Sequence, residues 1–533
     1  TNNPFGASFG TSGSVIFANG SKFTQLAGTN PFASTAPASI VTFNPSSTYV
    51  YKMSGATSPS FSGRTFGNLE YDATASGTIG SGTGTITGNL IITSGTFSCA
   101  GTSSFSVGGN TTIASGATLN YSPTSSGAIT LNGSALQTIS GSGTLTLGSN
   151  ASINVTNTAG VTFSKNITIG TGGKFTLPAS GSGVYTFSAG NIFTHSNATA
   201  SSCNFNGSSI TLKSDATGTA AFGTFASTAL NATNITVERY IPATRRAYRF
   251  LASPVTTTGG VFASWQESGT NAAGLGIQVS GIAGAAPGGV DATTGLDITT
   301  NGSSSMFSYN GSAWVAVTNT KTTQLTPGAG FRVLVRGDRL TDLYASNPAA
   351  TATTIKATGT VGQGTITLTG LLDGFNLIGN PYPSSIDWIA TGWQTARTAS
   401  NVNNAIYIYN PAEVAATSMT YPAYVDGVGT NGGNNIIRSG QAFFIHAAAA
   451  GASISFLEAY KSTEVTGGFF RSATPEMMRV TYMQNNEHLD DIVIRYNDDA
   501  QADFDPRFDA TSMGGELNGL ASFKNADRLA IHT

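Results

Sequence analysis

The longest uncharged stretch of this chain constrains its fold more than any other feature. From Ala73 to Ser164 there is no Asp, Glu, Lys or Arg. In and just before this stretch the dipeptide Gly-Asn returns at Asn68, Asn89 and Asn110, at a constant interval of 21 residues. A fixed period of this length is typical of stacked repeats, in which each copy is one supersecondary unit that buries its apolar face against its neighbours.

Between the asparagines, apolar residues alternate with Thr, Ser or Gly. Phe105 and Val107, and then Leu119 and Tyr121, are examples. Alternation with a period of two predicts β-strands with one buried face. Together with the 21-residue period it predicts a parallel β-solenoid, in which the three asparagines stack in register at about 4.8 Å per turn with their amides in a hydrogen-bonded ladder. A β-sandwich of short hairpins is the alternative, which the constant spacing disfavours.

The composition is that of a folded but charge-poor protein. Hydrophobic residues make up 39% of 533 residues, so the chain can bury real cores, whereas charged residues make up only 9%, against about 25% in ordinary proteins. Ser, Thr, Asn and Gly therefore form the solvent face, as expected of secreted surface proteins with an uncharged polar coat. A net charge of −2 gives no basic field, so we expect no nucleic-acid partner. No apolar run approaches the ~20 residues of a transmembrane helix.

Changes in composition divide the chain into four regions. Residues 1–66 are predicted to be an N-terminal cap or the first coils, and residues 67–236 the β-solenoid. Charged residues arrive abruptly at Glu238 and Arg239, and strands separated by long loops predict a β-sandwich or jelly-roll domain over residues 237–472. Residues 473–533 form an acidic β module that either completes the preceding sandwich or continues into a longer protein. The predicted fold class is all-β.

Two further features concern the ends of the chain and its cysteines. The chain opens Thr-Asn-Asn-Pro, without an initiator Met or a signal peptide, so we expect a processed or excised segment. Cys99 and Cys203 would lie about five coils apart, roughly 24 Å, which exceeds the ~7 Å Cα limit for a disulfide. We therefore expect both to be buried free thiols.

The sequence favours a protein without catalytic activity. Stacked β-coils are familiar as polysaccharide-cleaving enzymes, but such chemistry needs a base with acidic or metal assistance. The charged residues of the later coils, such as Lys213 and Asp215, are too sparse to form a constellation. Only four histidines are present. No Gly-x-Ser-x-Gly motif occurs where the sequence predicts a strand, a turn and a helix in succession.

A cluster of carboxylates near the C-terminus is the sharpest candidate for a metal site. It follows a plain strand and contains five aspartates, Asp498, Asp499, Asp503, Asp505 and Asp509. Calcium prefers six to eight oxygen ligands, and closely spaced carboxylates on a loop can supply several of them. The loop does not have the spacing of an EF-hand, and it lacks the fixed Gly and the terminal Glu of that motif. The alternative is a solvated loop paired with Arg495 and Arg507.

Two other groups of side chains could bind ligands. Arg239, Arg245, Arg246 and Arg249 could hold a carboxylate or phosphate through their guanidinium forks, or they could form ion pairs at a domain boundary. The second group is aromatic, and its rings could stack on a bound carbohydrate or could be core residues. It consists of aromatic residues of the third region, namely Trp265, Trp314, Trp388, Trp393, Tyr382, Tyr407, Tyr409, Tyr421 and Tyr424.

Three phrases from residue 237 onward resemble one family. They are Val237–Pro242 with Arg245–Pro254, then Gly374–Pro383, and then Ser439–Phe444. They resemble large surface proteins of Bacteroidota that the type IX secretion system exports, and the upstream Gly-Asn-Leu repeats look like the stalks of those proteins. The resemblance implies export across the outer membrane to the cell surface. It supplies no catalytic residues, and the C-terminal sorting domain of that group is not recognisable here.

These observations predict a secreted, non-enzymatic surface protein, an adhesin or the subunit of an extracellular filament. We expect it to associate with itself or with neighbouring surface proteins, and we expect the 1–66 region to make the principal contact. A carbohydrate-binding module, or a non-catalytic part of a secreted glycan-processing enzyme, is the alternative, with glycans as the partner.

Overall fold

A computed structural model shows a chain that is nearly all β. None of the helices it describes has the length and hydropathy that a membrane span requires. The description covers residues 13, 15–28, 31–32, 41–54, 58–59, 61–74, 77–79, 81–179, 183–226, 230–243, 246–285, 288–345, 349–409, 421–464, 477–485, 487–513 and 519–533.

The chain forms two compact units. The N-terminal unit comprises residues 1–213 and 222–234, and the C-terminal unit comprises residues 214–221 and 235–533. The N-terminal unit is a parallel β-solenoid of about eight turns, as the repeat spacing predicts. The C-terminal unit consists of β-sheets that are mainly antiparallel.

Three faces of strands build the solenoid. The first face consists of nine parallel strands in chain order: Lys22–Gln25, Thr48–Tyr51, Asn68–Asp72, Leu90–Ser94, Thr111–Ile113, Gln137–Ser140, Gly160–Phe163, Val184–Phe187 and Ser209–Leu212. The second face consists of seven: Arg64–Phe66, Thr83–Ile86, Ser104–Val107, Gly127–Leu131, Ala151–Val155, Phe175–Thr176 and Cys203–Asn204.

The third face is divided into two sheets. The earlier one contains Gly77–Ile79, Thr96–Cys99, Thr118–Tyr121 and Thr144–Leu147, and the later one contains Ile167–Ile169, Ile192–His195 and Ala221–Phe225. Val15–Phe17 and Val41–Phe43 form a separate parallel pair near the N-terminus.

The apolar residues that alternate in the sequence stack in register from turn to turn and form the buried core of the solenoid. On the second face Phe66, Ile86, Val107, Leu131 and Val155 follow one another in direct register from turn to turn, and each is at most 1% exposed. Complete burial of such a side chain contributes roughly 1.5–3 kcal/mol. Because each turn meets only its neighbours, the core is a sum of local interfaces.

The strands of the C-terminal unit form several small sheets. Ile235–Ile241, Thr353–Val361 and Val255–Thr257 pair in that order, and a four-stranded sheet contains Ala247–Ala252, Gly330–Val335, Met306–Tyr309 and Trp314–Ala316. A five-stranded sheet contains Gly374–Gly379, Ala442–Ala447, Val402–Tyr407, Ala423–Val425 and Val428–Gly429. The C-terminal sheet contains Met477–Gln484, Glu487–Arg495, Asp527–His532 and Ala510–Thr511, with Ser522–Lys524 paired to Asp527–His532.

Shorter elements complete this unit. Its small strand groups are Ser214–Asp215 with Gly218–Thr219, Ser280–Ala283 with Asp297–Thr299, Ile366–Leu371 with Ala452–Phe456, and Ile436–Ile437 with Ser385–Asp387 and Lys461–Ser462. Its α-helices are Gly260–Ala263 and Trp393–Ala399, and its 3₁₀ turns are Glu267–Gly269 and Glu458–Tyr460.

The last strands of the chain share a hydrophobic core with strands that precede residue 465. Val493, Ala510 and Ile531 pack in one buried cluster with Phe250 and Phe444. The Tyr407 hydroxyl accepts a hydrogen bond of 2.9 Å from the Thr511 N–H, which joins the two regions further. The predicted boundary between residues 472 and 473 falls within residues 465–476, outside the described residues.

Candidate functional site

An asparagine ladder runs along the solenoid, as the 21-residue period predicts. The side-chain oxygen of Asn68 accepts a hydrogen bond of 2.8 Å from the backbone N–H of Asn89. Asn89 accepts one of the same length from Asn110, and Asn110 accepts one of 2.9 Å from Thr138. The stacking is therefore confirmed, with one difference in detail. Each rung joins the side-chain oxygen of one asparagine to a backbone N–H in the next turn, and not to another side chain. The reason is that the backbone N–H at this corner needs an acceptor.

The glycine before each asparagine allows this close approach. The N–H of Gly88 donates to the carbonyl of Gly67, and Gly109 donates to Gly88 in the next turn. A Cβ atom at Gly88 would collide with Oδ1 of Asn68, and one at Gly109 would collide with Oδ1 of Asn89. The repeated Gly-Asn dipeptide is therefore the sequence signature of a solenoid corner.

The two cysteines are buried free thiols, as expected. Cys99 lies on the third face in register with Tyr121, and Cys203 lies on the second face in register with Phe175. Burial raises the pKa of the Cys99 thiol to about 12 and raises the pKa of Cys203 as well. Both side chains are therefore uncharged at neutral pH and act as apolar core residues.

The five aspartates of the predicted calcium loop contact several different partners. Asp505 and Asp509 are fully buried, and their carboxylates pair with Arg507 at 2.7 Å and Lys524 at 3.0 Å. Burial works against ionisation of Asp505, but the hydrogen bonds from Arg507 prevail, and its pKa is lowered.

The remaining three carboxylates lie nearer to solvent. Asp498 accepts a hydrogen bond from Tyr496, and Asp503 accepts one from Asn525, whereas Asp499 receives Arg507 at its backbone carbonyl. Within the described ranges, no three His, Cys, Asp or Glu side chains are arranged to hold a metal ion. Calcium binding by this loop stays a hypothesis beside the alternative of a solvated loop paired with arginines.

Most of the predicted aromatic platform is core. Trp265, Trp388 and Trp393 are each 1% exposed, and the Arg397 guanidinium carbon lies 3.7 Å from the Trp388 ring centroid. Tyr382, Tyr407 and Tyr424 are buried too. These six rings therefore offer no stacking face to a sugar.

Trp314 remains half-buried and belongs to a surface of mixed character. The Arg332 guanidinium carbon lies 3.9 Å from the Tyr248 ring centroid and 5.0 Å from that of Trp314. Phe307 pairs directly with Arg332 across the sheet. We call Tyr248, Phe307, Trp314 and Arg332 the aromatic–arginine surface.

Two arginines line a small pocket in the C-terminal unit. Arg239 lies in Ile235–Ile241, and Arg438 follows Ile436–Ile437. Both line a pocket with Ser384, Ser439 and Glu464. Burial lowers the pKa of Arg239 to about 10, with a smaller contribution from the positive charges of Arg438 and Arg249. Arg438 donates to the Glu464 carboxylate at 3.2 Å.

The sequence indicated only part of this pocket. Arg239 and Arg249 belong to the arginine cluster singled out above, and Arg245 lies outside the described residues. Ser384 and Arg438 belong to no motif, and Ser439 is only the first residue of the Ser439–Phe444 phrase. Pairing of Ser385–Asp387 with Ile436–Ile437 brings Ser384 close to Arg438 and Ser439 across about fifty residues, so a search for local patterns could not find them.

Comparison with known proteins gives one match. Residues 289–533, less than half of the chain, match a family model described as a domain of unknown function (DUF8693). This match extends through the C-terminal sheet. No curated protein and no solved structure matches the chain.

Proposed function

We propose that this chain is a non-enzymatic structural segment of a secreted cell-surface protein, in which the solenoid serves as a stalk and as a site of self-association. The observation that supports this most is the uninterrupted stack of nine first-face strands. At about 4.8 Å per step it forms a rod-like core roughly 40 Å long. Such a stack suits a spacer, because its length grows with repeat number.

The N-terminal end of the stack is the proposed contact with a second copy. Lys22–Gln25 is the terminal strand of the first face within the described residues. Nearby Ile16 and Leu26 are 63% and 66% exposed. An end strand has backbone groups that must be capped, covered or joined to another chain. Exposed apolar side chains beside such an edge favour association, since few charges oppose it.

Electron microscopy and light scattering of the purified chain test this proposal. We expect particles that lengthen or multiply with concentration. The double variant Ile16→Lys, Leu26→Lys should remain monomeric, because two like charges at the end repel a second copy. Leu136→Lys is the matched control, since Leu136 is 58% exposed in the middle of the solenoid. Equal association by both variants would contradict an end-to-end contact.

The cellular location is tested separately by labelling intact cells with antibodies against residues 90–160. Labelling without permeabilisation supports a surface protein of the kind that the type IX system exports. Labelling only after permeabilisation would contradict it.

The aromatic–arginine surface favours glycan binding as a second candidate. Its half-buried rings and guanidinium could stack on and hydrogen-bond to a sugar. Retention of the chain on immobilised polysaccharides, lost in Arg332→Ala but kept in Arg528→Ala, would support this function. Equal retention of both variants would show that this surface does not bind the polysaccharide.

A further inference from the structure

The pocket between Arg239 and Arg438 has the properties of an anion site. Two buried hydroxyl groups line it, those of Ser384, which is fully buried, and Ser439, which is 4% exposed. Within the described part of the chain, neither Oγ atom has a hydrogen-bond partner. A buried hydroxyl without a partner is costly, so native proteins usually supply a partner, an ordered water or a ligand.

The charges around the pocket leave a positive excess. Arg239 makes a hydrogen bond of 3.4 Å to the Thr219 hydroxyl, and it forms no ion pair with any carboxylate in the described ranges. Among the described residues that line the pocket, Glu464 is the one with an acidic side chain, and it pairs with Arg438. Of the described lining residues, two guanidinium groups and one carboxylate sum to a net charge of about +1, which one monovalent anion would neutralise.

The size of the pocket limits what it can hold. The cavity has a volume of ≈ 10 Å³, which corresponds to about one water molecule or one small ion. A phosphate group, with four oxygens and about two negative charges, matches neither the volume nor the charge.

We propose that this pocket binds one small monovalent anion, of the size of chloride, between the guanidinium groups of Arg239 and Arg438 and the hydroxyl groups of Ser384 and Ser439. Each of these groups can donate a hydrogen bond to an anion. The anion would hold together the strands Ile235–Ile241 and Ile436–Ile437, which are distant in the sequence.

Thermal unfolding of the full chain in different sodium salts tests the site. All four tryptophans lie in the C-terminal unit, so their fluorescence reports its melting. At constant ionic strength, replacing gluconate with chloride should raise the Tm in a saturable manner, because an anion bound only to the folded state stabilises it. Formate in place of chloride should give a smaller rise, because its three heavy atoms exceed the space of one water molecule. If gluconate, chloride and formate give equal Tm values, the proposal is wrong and a water molecule occupies the pocket.

Variants localise the effect. Ser439→Ala removes an unpartnered hydroxyl, so it should fold at least as stably as the wild type in gluconate. It should also need at least tenfold more chloride for the same rise in Tm. Arg239→Met should abolish the rise. Arg332→Met is the matched control, since Arg332 lies on the aromatic–arginine surface, and it should keep the rise. A rise that is unchanged in both Ser439→Ala and Arg239→Met would place the anion elsewhere and overturn the proposal.

Discussion

The solenoid and the C-terminal unit use charge in opposite ways. In the solenoid, the ion pairs described are Lys22 with Glu70 and Lys52 with Asp72, and both lysines are 56% exposed. In the C-terminal unit, Arg339 and Asp297 form an ion pair in which both side chains are 1% exposed. In the solenoid, buried polar side chains such as Gln137 and Asn157 bond to each other and to carbonyls of neighbouring turns, whereas in the C-terminal unit the charged residues Arg339 and Asp297 pair across 42 residues.

This difference shows how each unit specifies its structure. In the solenoid the same interaction recurs every turn, so uncharged residues suffice and the repeat sets the register. In the C-terminal unit the Asp297 carboxylate accepts hydrogen bonds from Arg339, from Gln266 at 2.9 Å and from the Val279 N–H at 2.7 Å. A network of that kind fixes one arrangement, and it is severely disrupted when one member is lost.

The largest expected effect comes from breaking that buried network. Arg339→Met leaves the Asp297 charge buried without its partner, and we expect the free energy of unfolding to fall by about 3–5 kcal/mol. The matched change in the solenoid, Lys22→Met, removes an exposed pair and should cost less than about 1 kcal/mol. Denaturant unfolding followed by tryptophan fluorescence and by circular dichroism measures both. Equal losses for the two variants would contradict the contrast between the units.

A smaller effect is expected from removing one rung of the asparagine ladder. Asn89→Ala deletes the acceptor of the Asn110 N–H, and we expect a loss of about 1 kcal/mol, because water can reach this corner. Amide hydrogen exchange should accelerate at Asn110 and in the adjacent turns, while the C-terminal unit is unchanged. Thr112→Ala, at an exposed position of the neighbouring strand, is the control and should have little effect. No change in exchange at Asn110 would show that the rung is not stabilising.

Acid should weaken the solenoid through His195. Burial lowers the pKa of this fully buried imidazole, so the unfolded chain binds the proton more readily than the folded one. Stability is therefore independent of this group well above pH 6.5 and falls as the pH drops below about 6.5. His195→Phe should flatten this part of the profile, measured by circular dichroism from pH 7.5 to 5. His488→Gln, which alters a histidine that is 39% exposed, is the control. An unchanged profile in His195→Phe would contradict the assignment.

The smallest expected effect concerns the acidic loop. Since Asp505 and Asp509 already pair with Arg507 and Lys524, we expect a chelator to leave the Tm of the C-terminal unit unchanged. A fall in Tm that calcium reverses, and that Asp503→Asn diminishes, would instead establish the calcium hypothesis.

The sequence predicted the solenoid better than the C-terminal unit for a physical reason. Asn68, Asn89 and Asn110 interact with residues one turn away, so the spacing in the sequence is the spacing in the structure. Arg339 contacts Asp297 across 42 residues, and Arg239 and Ser439 line one pocket from distant parts of the chain, and no period in the sequence encodes these separations. Trp265, Trp388 and Trp393 were ambiguous for the same reason, because composition does not distinguish a buried ring from an exposed one.

The most direct test of the solenoid account is the removal of one complete turn. Deleting residues 89–109 removes one strand from each face and joins Gly88 to Asn110, which restores the Gly-Asn corner. We predict a folded chain with native circular dichroism, cooperative unfolding and a stack shorter by about 4.8 Å. Deleting residues 89–99 removes about half a turn, breaks the register of every later strand and should unfold the solenoid. If the full-turn deletion unfolds the solenoid as completely as the half-turn deletion, the turns are not interchangeable repeats and the account is wrong.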